Sequence, residues 1–336
     1  MPGVNRRQAK ELFRAKQVRL NGKASTGAER VVTGDLFSIP DSDAAKTFSV
    51  KTAPRLTTPH GRHLIRLYED ESILVISKPT EIPVHKGQGG FLRRDTLEDV
   101  LARAYPPPPN AAPSQQGFYF VHRLDMETSG CLLIAKSEAV RDAMILDFSQ
   151  RKIHKEYLAI TAGAVEWDSL TVKKSIAYIK ADDLEPAGRP NWKQQRRKPI
   201  LRGVKKGIPL EEGDPAGKSS ETQFKVMTRF NGYTLIHAMP KTGRTHQIRV
   251  HLESTGHPLA YDPLYGRHSP IRLREFYPRF ATAEEGEEIV LNRLPLHAWK
   301  LGFTHPVSHA AMKFEAPIPR DLKDFIRILK KYRGQP

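Results

Sequence analysis

The chain has 336 residues, 39% of them hydrophobic, and a mean hydropathy of -0.51, enough for a large core in a water-soluble protein. No run approaches the ~18 to 20 apolar residues of a membrane span, the charged start Met1–Arg7 lacks the apolar segment of a secretory leader, and the single cysteine, Cys131, excludes a disulfide framework and any multi-cysteine zinc site, so the cytoplasm is the expected setting. The 54 Lys and Arg outnumber the 37 Asp and Glu, giving +17 and a pI near 9.9, a balance that suits a polyanionic partner such as nucleic acid without requiring one.

Residues 1 to about 40 carry eight Lys and Arg against three acids. Asn5 stands as an N-cap, and Ala9, Leu12 and Phe13 recur at helical spacing, which predicts a helix from Asn5 to Ala15. Val18 and Leu20 then alternate up to Asn21-Gly22, a hairpin signal, and Thr33-Gly34-Asp35 marks a further turn before the strand-like Leu36–Ile39. Arg6, Arg7, Lys10, Arg14, Arg19 and Lys23 would meet an RNA backbone there. The segment Arg6–Leu12, Val18–Lys23 and Val32–Asp35 resembles the S4 RNA-binding domain, but lacks the further helix that usually comes first. The other reading of the same residues is a basic helical tail that packs on the main domain. The boundaries expected are an S4-like module at 1–48, a linker rich in Pro, Ser, Thr and Asp at 49–62, and a large domain at 63–336.

In the large domain Leu64–Tyr68 and Ile73–Ser77 read as strands. Residues 105–114, with Pro106 through Pro109 in a row, read as a surface loop. Glu138 to Lys152 reads as a helix with Val140, Met144, Ile145 and Phe148 on one face. A second irregular stretch runs from about 181 to 216. Inside it Arg189–Lys206 holds eight basic residues, no acid and Trp192, a pattern of phosphate contact with base stacking or of a merely solvated face. Leu322, Phe325, Ile326 and Leu329 form the apolar stripe of a closing helix. Strands and helices without regular βαβ spacing indicate a mixed α+β fold.

Three segments are denser in polar residues than structure alone requires. In Val121–Gly130, a loop with His122, Arg123, Asp125, Thr128 and Ser129 precedes the apolar strand Cys131–Ala135. Thr128, Ser129 and Gly130 are expected to hold a tight turn by side-chain-to-backbone bonds. Asp125 itself admits three readings: nucleophile, metal ligand or turn residue. In Lys241–Gly256, Thr245 is the expected N-cap and Gly256 the C′ residue of a helix of about ten residues. Thr242, Gly243 and Arg244 sit just ahead of it, where anions bind. Arg249 faces either Glu253, four residues on, or a carboxylate elsewhere. In Arg151–Ile160, Tyr157 lies on an alternating strand, as a half-buried core residue or a stacking platform.

These segments together resemble the RluA-type pseudouridine synthases. His122-Arg123-Leu124-Asp125, Thr128-Ser129-Gly130, Leu132-Leu133 and Ala135-Lys136 match that family's first signature, with Cys131 at a variable position. Thr242–Leu252 matches its second, continued by His257-Pro258-Leu259 and Asp262–Gly266. Lys155-Glu156-Tyr157, Ile76–Pro79 with Val84-His85, Gly217-Lys218, Leu296–Ala298 and Phe303–Pro306 are further matches, in order from residue 64 to about 306. The resemblance implies a mixed, mainly antiparallel central sheet flanked by helices and loops, and isomerisation of uridine in structured RNA. Large-subunit ribosomal RNA is the implied substrate, with transfer RNA as the alternative.

It also implies roles. Asp125 is the nucleophile, Arg249 its ion-pair partner, and Tyr157 the residue that stacks on uracil and helps remove the C5 proton. Ile248 walls the pocket, Arg123 fills the space left by the flipped base, and His122 supports the loop. No cofactor or metal is implied, and a monomer is expected. Two alternatives stand beside this reading. One is a metal-dependent phosphoesterase using His246, His251 and His257, although His246 and His251 are five apart, about 140° around a helix. The other is a non-enzymatic RNA-binding or ribosome-assembly protein.

Overall fold

A computed structural model describes residues 13–15, 17–20, 23–25, 36–39, 46–49, 56–57, 64–85, 95–106, 117–180, 205–277 and 284–334. The chain divides into two compact units, residues 1–55 and 56–336. Four strands are described in the first: β1 (Arg19–Leu20), β2 (Lys23–Ala24), β3 (Leu36–Ile39) and β4 (Lys46–Ser49), in the antiparallel order β2-β1-β3-β4. Leu20 pairs with Lys23 across the turn expected at Asn21-Gly22. Of the expected helix only Phe13 and Arg14 are helical within the described residues; Arg6, Arg7 and Lys10 lie outside them. Arg14, Arg19 and Lys23 are exposed. Leu56, inside the expected linker, is buried in the core of the larger unit, and its carbonyl accepts the Leu64 N–H.

The larger unit is built on an 11-stranded sheet. Its first strands are β5 (Ile65–Glu69), β6 (Ile73–Lys78), β7 (Tyr119–Phe120), β8 (Ser129–Ala135), β9 (His154–Ala162) and β10 (Ser169–Lys180). They are followed by β11 (Lys205–Leu210), β12 (Lys218–Phe230), β13 (Tyr233–Pro240), β16 (Leu296–Thr304) and β17 (Ala311–Glu315). The order is β11-β10-β12-β13-β9-β16-β8-β6-β5, with β17 on β16 and β7 on β8. Every pairing is antiparallel except β16 with β8. A separate short ribbon pairs β14 (Ile271–Arg272) with β15 (Ile289–Leu291). The fold is therefore the mixed, mainly antiparallel α+β arrangement the sequence implies.

Strands β6 and β8 are buried along their whole length, as near-continuous apolar runs should be when both faces are covered. Alternate residues feed two cores. Leu74, Ile76, Leu132 and Ile134 pack with Leu97, Val100 and Leu101 of helix α1 (Leu97–Ala104). Ile73, Val75, Cys131 and Leu133 pack with Val140 and Met144 of helix α2 (Glu138–Ser149). The parallel contact of β8 with β16 spans only His297–Ser129 and Ala298–Gly130. Gly130 sits at φ 120°, and a Cβ there would lie 2.1 Å from the Ala298 carbonyl oxygen, so only glycine lets the strands cross so closely.

Three expectations need correcting. Helix α2 stops at Ser149 rather than Lys152, because Arg151 adopts a left-handed φ of 60°, and Ile145 is 45% exposed instead of sharing the face of Val140 and Met144. The stretch 181–216 contains strand β11, an edge strand that tolerates Pro209; of the basic run, only Lys205 and Lys206 are described. The Pro-rich segment lies mostly outside the described residues. The closing helix α4 (Arg320–Tyr332) buries Leu322, Phe325 and Leu329, with Ile326 packed beside them.

Candidate active site

The loop between β7 and β8 carries Asp125, and it is held from below. The Asp125 carbonyl accepts the Thr128 N–H at 3.0 Å, closing the turn. Lys78 is fully buried and its Nζ donates to the carbonyls of Pro79, Ile82 and Met126 at 2.9, 3.1 and 3.0 Å. Burial pushes that amine down to about 7. The expected side-chain bonds of Thr128 and Ser129 to backbone do not form. The Thr128 Oγ1 is buried without a partner, and the Ser129 Oγ meets His297 Nδ1 at 2.9 Å and Arg293 at 3.1 Å. Buried side chains from distant parts of the chain do the work that a local turn motif was expected to do.

His122 accepts the Leu133 N–H on its Nε2 at 2.9 Å and packs at a tilt of 34° against Phe148, with 4.9 Å between ring centroids. Burial, followed by the charge of Lys155, drives its imidazole down to about 3, so it is neutral at physiological pH. These contacts tie the loop to strand β8 and helix α2.

Helix α3 (Gln247–Ser254) supplies Arg249, which is 6% exposed. Its partner is not Glu253. Arg249 donates from Nε and Nη2 to both oxygens of Asp262, each at 2.7 Å, and from Nη1 to Asp125 Oδ2 at 3.4 Å. Asp262 is fully buried and also accepts the N–H groups of Leu264 and Tyr265. A bidentate fork of this kind fixes the guanidinium plane and leaves one edge for a second carboxylate. Burial raises Asp125, but His246, then Arg249 and Arg123, more than offset it and hold the carboxyl below its ordinary value. The Asp125 carboxylate is thus ionised at neutral pH.

The helix start also differs from expectation. Thr245 is not its N-cap; His246 is, in a left-handed conformation at φ 58° with no side-chain cap bond. The preceding loop is folded by Gln247, whose Oε1 accepts from Thr242 Oγ1 at 2.6 Å and from the Arg244 N–H at 2.9 Å. Its Nε2 donates to the Glu221 carbonyl and to Thr222 Oγ1. Thr255 is the C-cap, and Gly256 follows at φ 78° as the sequence implies.

These elements enclose a cavity of about 360 Å³, within the range of small-molecule sites. Asp125, Tyr157, Arg249, Arg123, Ile248, Thr242, Gly243, Arg244 and His122 all line it. Lys155, Gln247 and His246 line it as well, Lys155 and Gln247 having been quoted only as motif positions and His246 only as a candidate metal ligand. Lys155 donates to the Thr242 carbonyl at 2.9 Å, and burial lowers its amine to about 8. Burial, then the charge of Asp125, raises the Tyr157 phenol well above its usual value. Tyr157 therefore enters as a protonated phenol. His246 faces Asp125 at 4.0 Å and meets Tyr265 Oη at 3.0 Å. Asp262 and Tyr265 belong to the Asp262–Gly266 match, but only the folded chain brings them to Arg249 and His246.

His251 is turned away into the sheet, bonded to Ser220 and Thr222. Among the described residues no three His, Cys, Asp or Glu side chains converge as metal ligands would. No described helix is long and apolar enough to cross a membrane.

The family model described as RNA pseudouridylate synthase matches residues 72–254. The chain is 33% identical to the ribosomal large subunit pseudouridine synthase C of Escherichia coli K12 over 335 residues, 99% of this chain and 90% of that protein. It is 33% identical to the protein of the same name from Vibrio vulnificus, over 96% of this chain and 87% of the relative. In fold it resembles human RNA pseudouridylate synthase domain containing 4, with a TM-score of 0.56 at 24% identity, over 79% of this chain and 93% of that one.

Proposed function

This chain belongs to the RNA pseudouridylate synthase family, and we propose that it isomerises specific uridines in large-subunit ribosomal RNA, with Asp125 as the nucleophile. The observation that carries the mechanistic part is an ionised Asp125 on the wall of the cavity, bonded to an Arg249 that is itself locked by Asp262. A carboxylate held this way is oriented and kept deprotonated, yet its weaker 3.4 Å bond leaves it free to attack.

The reaction breaks the C1′–N1 bond of uridine, rotates the uracil, joins C1′ to C5, and moves the C5 proton to solvent while N1 regains one. It needs a nucleophile and proton transfer but no cofactor or metal. The target base must first leave its stack, at a cost of a few kcal/mol, and Arg123, exposed at the cavity rim, is suited to fill the gap. Tyr157 offers its ring face to the base and its phenol as a donor; to take the C5 proton it must pass its own onward. Ile248 closes the opposite side, and Thr242, Gly243 and Arg244 hold flanking phosphate. The first unit serves as an S4-like RNA clamp through Arg14, Arg19 and Lys23. The protein acts as a cytoplasmic monomer.

The substrate assignment rests on the names of the bacterial relatives. It is tested by mapping pseudouridine in ribosomal and transfer RNA from a strain lacking the gene. Sites in large-subunit RNA should vanish, return with the wild-type gene, and stay absent with Asp125→Asn, whose protein should still retain RNA. Loss confined to transfer RNA would overturn the substrate, and activity in Asp125→Asn would remove the nucleophile.

A further inference from the structure

Resting on that reading of Asp125, a chain of three polar groups behind the nucleophile has no assigned part in the reaction. Gly207 of β11 donates its N–H to Tyr265 Oη at 2.6 Å. Tyr265 Oη lies 3.0 Å from His246 Nδ1, and His246 Nε2 lies 4.0 Å from Asp125 Oδ1. Burial first of all keeps the Tyr265 phenol protonated. Its oxygen accepts from Gly207, and among the described residues His246 Nδ1 is the one acceptor within reach of its own proton, so the proton goes there. The imidazole is thereby fixed as the tautomer that carries its proton on Nε2, the nitrogen facing Asp125.

We propose that His246 is a positioning residue for the reaction: the Gly207–Tyr265 pair locks its tautomer so that a neutral Nε2–H steers the Asp125 carboxylate without quenching it. Three further features support this. His246 is held at φ 58°, a strained backbone for a residue other than glycine, of the kind that persists where surroundings impose it. The Tyr265 ring has two cations near it, with Arg249 Cζ 4.9 Å and Lys206 Nζ 5.4 Å from its centroid. A Cβ at residue 207 would lie 2.8 Å from Val250 Cγ2 and 3.2 Å from Tyr265 Oη, so a larger residue there would push these side chains out of place.

The charge balance explains the need. Arg249 gives its two short bonds to Asp262 and only a 3.4 Å bond to Asp125. Among the described residues the Asp125 carboxylate thus has two long side-chain contacts, at 3.4 and 4.0 Å, and is aimed rather than tied. At 4.0 Å the imidazole is just outside bonding distance, and it closes on the carboxylate when substrate fills the cavity. In acid the imidazole becomes a cation and ties Asp125 down. The groups facing it are Asp125 and Arg123 from the β7–β8 loop, Arg249 from α3, and Asp262 and Tyr265 from the loop after it. Burial first, with Arg249 and Arg123, outweighs the two carboxylates and lowers its titration, so it is neutral at physiological pH.

The test is the pH profile of kcat on a ribosomal RNA fragment. Wild type should lose activity as pH falls through the His246 titration, below about 6.5. His246→Gln keeps an N–H near Nε2 and does not titrate. It should retain activity to within about tenfold at about pH 8, with KM unchanged and the acid limb displaced to lower pH. His246→Ala should lose about a hundredfold in kcat. Tyr265→Phe keeps the ring but frees the tautomer and should lose about tenfold in kcat. Combined with His246→Gln it should cost little more than either alone, because both act through one chain.

An acid limb shared by wild type and His246→Gln would overturn the inference, as would independent, multiplying losses in the double variant. Tyr265→Phe, which removes one oxygen, supplies the answer if His246→Ala fails to fold. A wild-type enzyme that makes no pseudouridine on any ribosomal or transfer RNA fragment defeats the underlying reading instead.

Discussion

Two buried arginines sit on either side of the same short segment and are built alike. Arg249 and Arg293 are 6% and 5% exposed. Each forks onto both oxygens of one aspartate, Asp262 or Asp321, and each extends its remaining Nη1 to the segment 125–129, reaching Asp125 in one case and Ser129 in the other. Each also has a histidine alongside the shared partner: His246 faces Asp125, and His297 bonds Ser129. The difference lies in what the third partner still owes. Ser129 is satisfied by His297 and Arg293 at 2.9 and 3.1 Å and is sealed in the sheet. Among the described residues the Asp125 carboxylate has only the 3.4 and 4.0 Å contacts, and it opens on the cavity. The same fork anchors strand β8 to helix α4 at one end and leaves a nucleophile unsatisfied at the other.

The comparison predicts a large asymmetry on truncation. Arg249→Ala leaves Asp262 fully buried without its cation and Asp125 without its charge partner. It should cost about 3 to 5 kcal/mol in stability and about a thousandfold or more in kcat among molecules that remain folded. Arg293→Ala frees Asp321, whose side chain is 49% exposed and finds water instead. Its cost should be about 1 to 3 kcal/mol, with kcat changed by about threefold at most, since no group on the cavity wall loses a partner. Denaturant titration beside single-turnover kinetics separates the two effects. An Arg293→Ala enzyme as inactive as Arg249→Ala would break the comparison and make both forks parts of one site.

How much of this was legible beforehand follows from the range of the interactions. Strands β6 and β8 are long apolar runs buried on both faces, and such runs declare themselves. Asp125, Tyr157 and Arg249, which come from three separate segments, line one cavity. Helix α1 was missed: eight residues are too few for a clear period, although Thr96 and Asp99 form a capping box at its start. The N-terminus of α3 was misplaced because Gln247, folded back over Thr242 and Arg244 and reaching Glu221 and Thr222, replaces a local cap. No local pattern announces that. Nor does the spacing of Arg249 from Asp262, thirteen residues apart across the end of a helix, mark them as a pair. Tyr265 gains its place only because β11 delivers Gly207 to it, through a pairing set by the sheet.

The smallest effect concerns the histidine beside the structural fork. Burial first, then the charge of Arg293, outweighs the bond to Ala316 and the charge of Asp321 and lowers His297 to about 4. The unfolded chain takes up a proton at this residue below about 6.5, whereas the folded protein refuses it until about 4. Unfolding therefore binds one extra proton between those limits. Stability falls as pH drops through that window and this contribution levels off below it. His297 should supply about 1.4 kcal/mol per pH unit to the slope of unfolding free energy near pH 5. His297→Gln should remove that share of the slope while leaving the acid limb of kcat where it was. Denaturation at a series of pH values, beside the kinetic profile, reads both quantities. If His297→Gln moves the kinetic limb as well, the two histidines are coupled through the segment 125–129, and the division between anchoring fork and reactive fork does not hold.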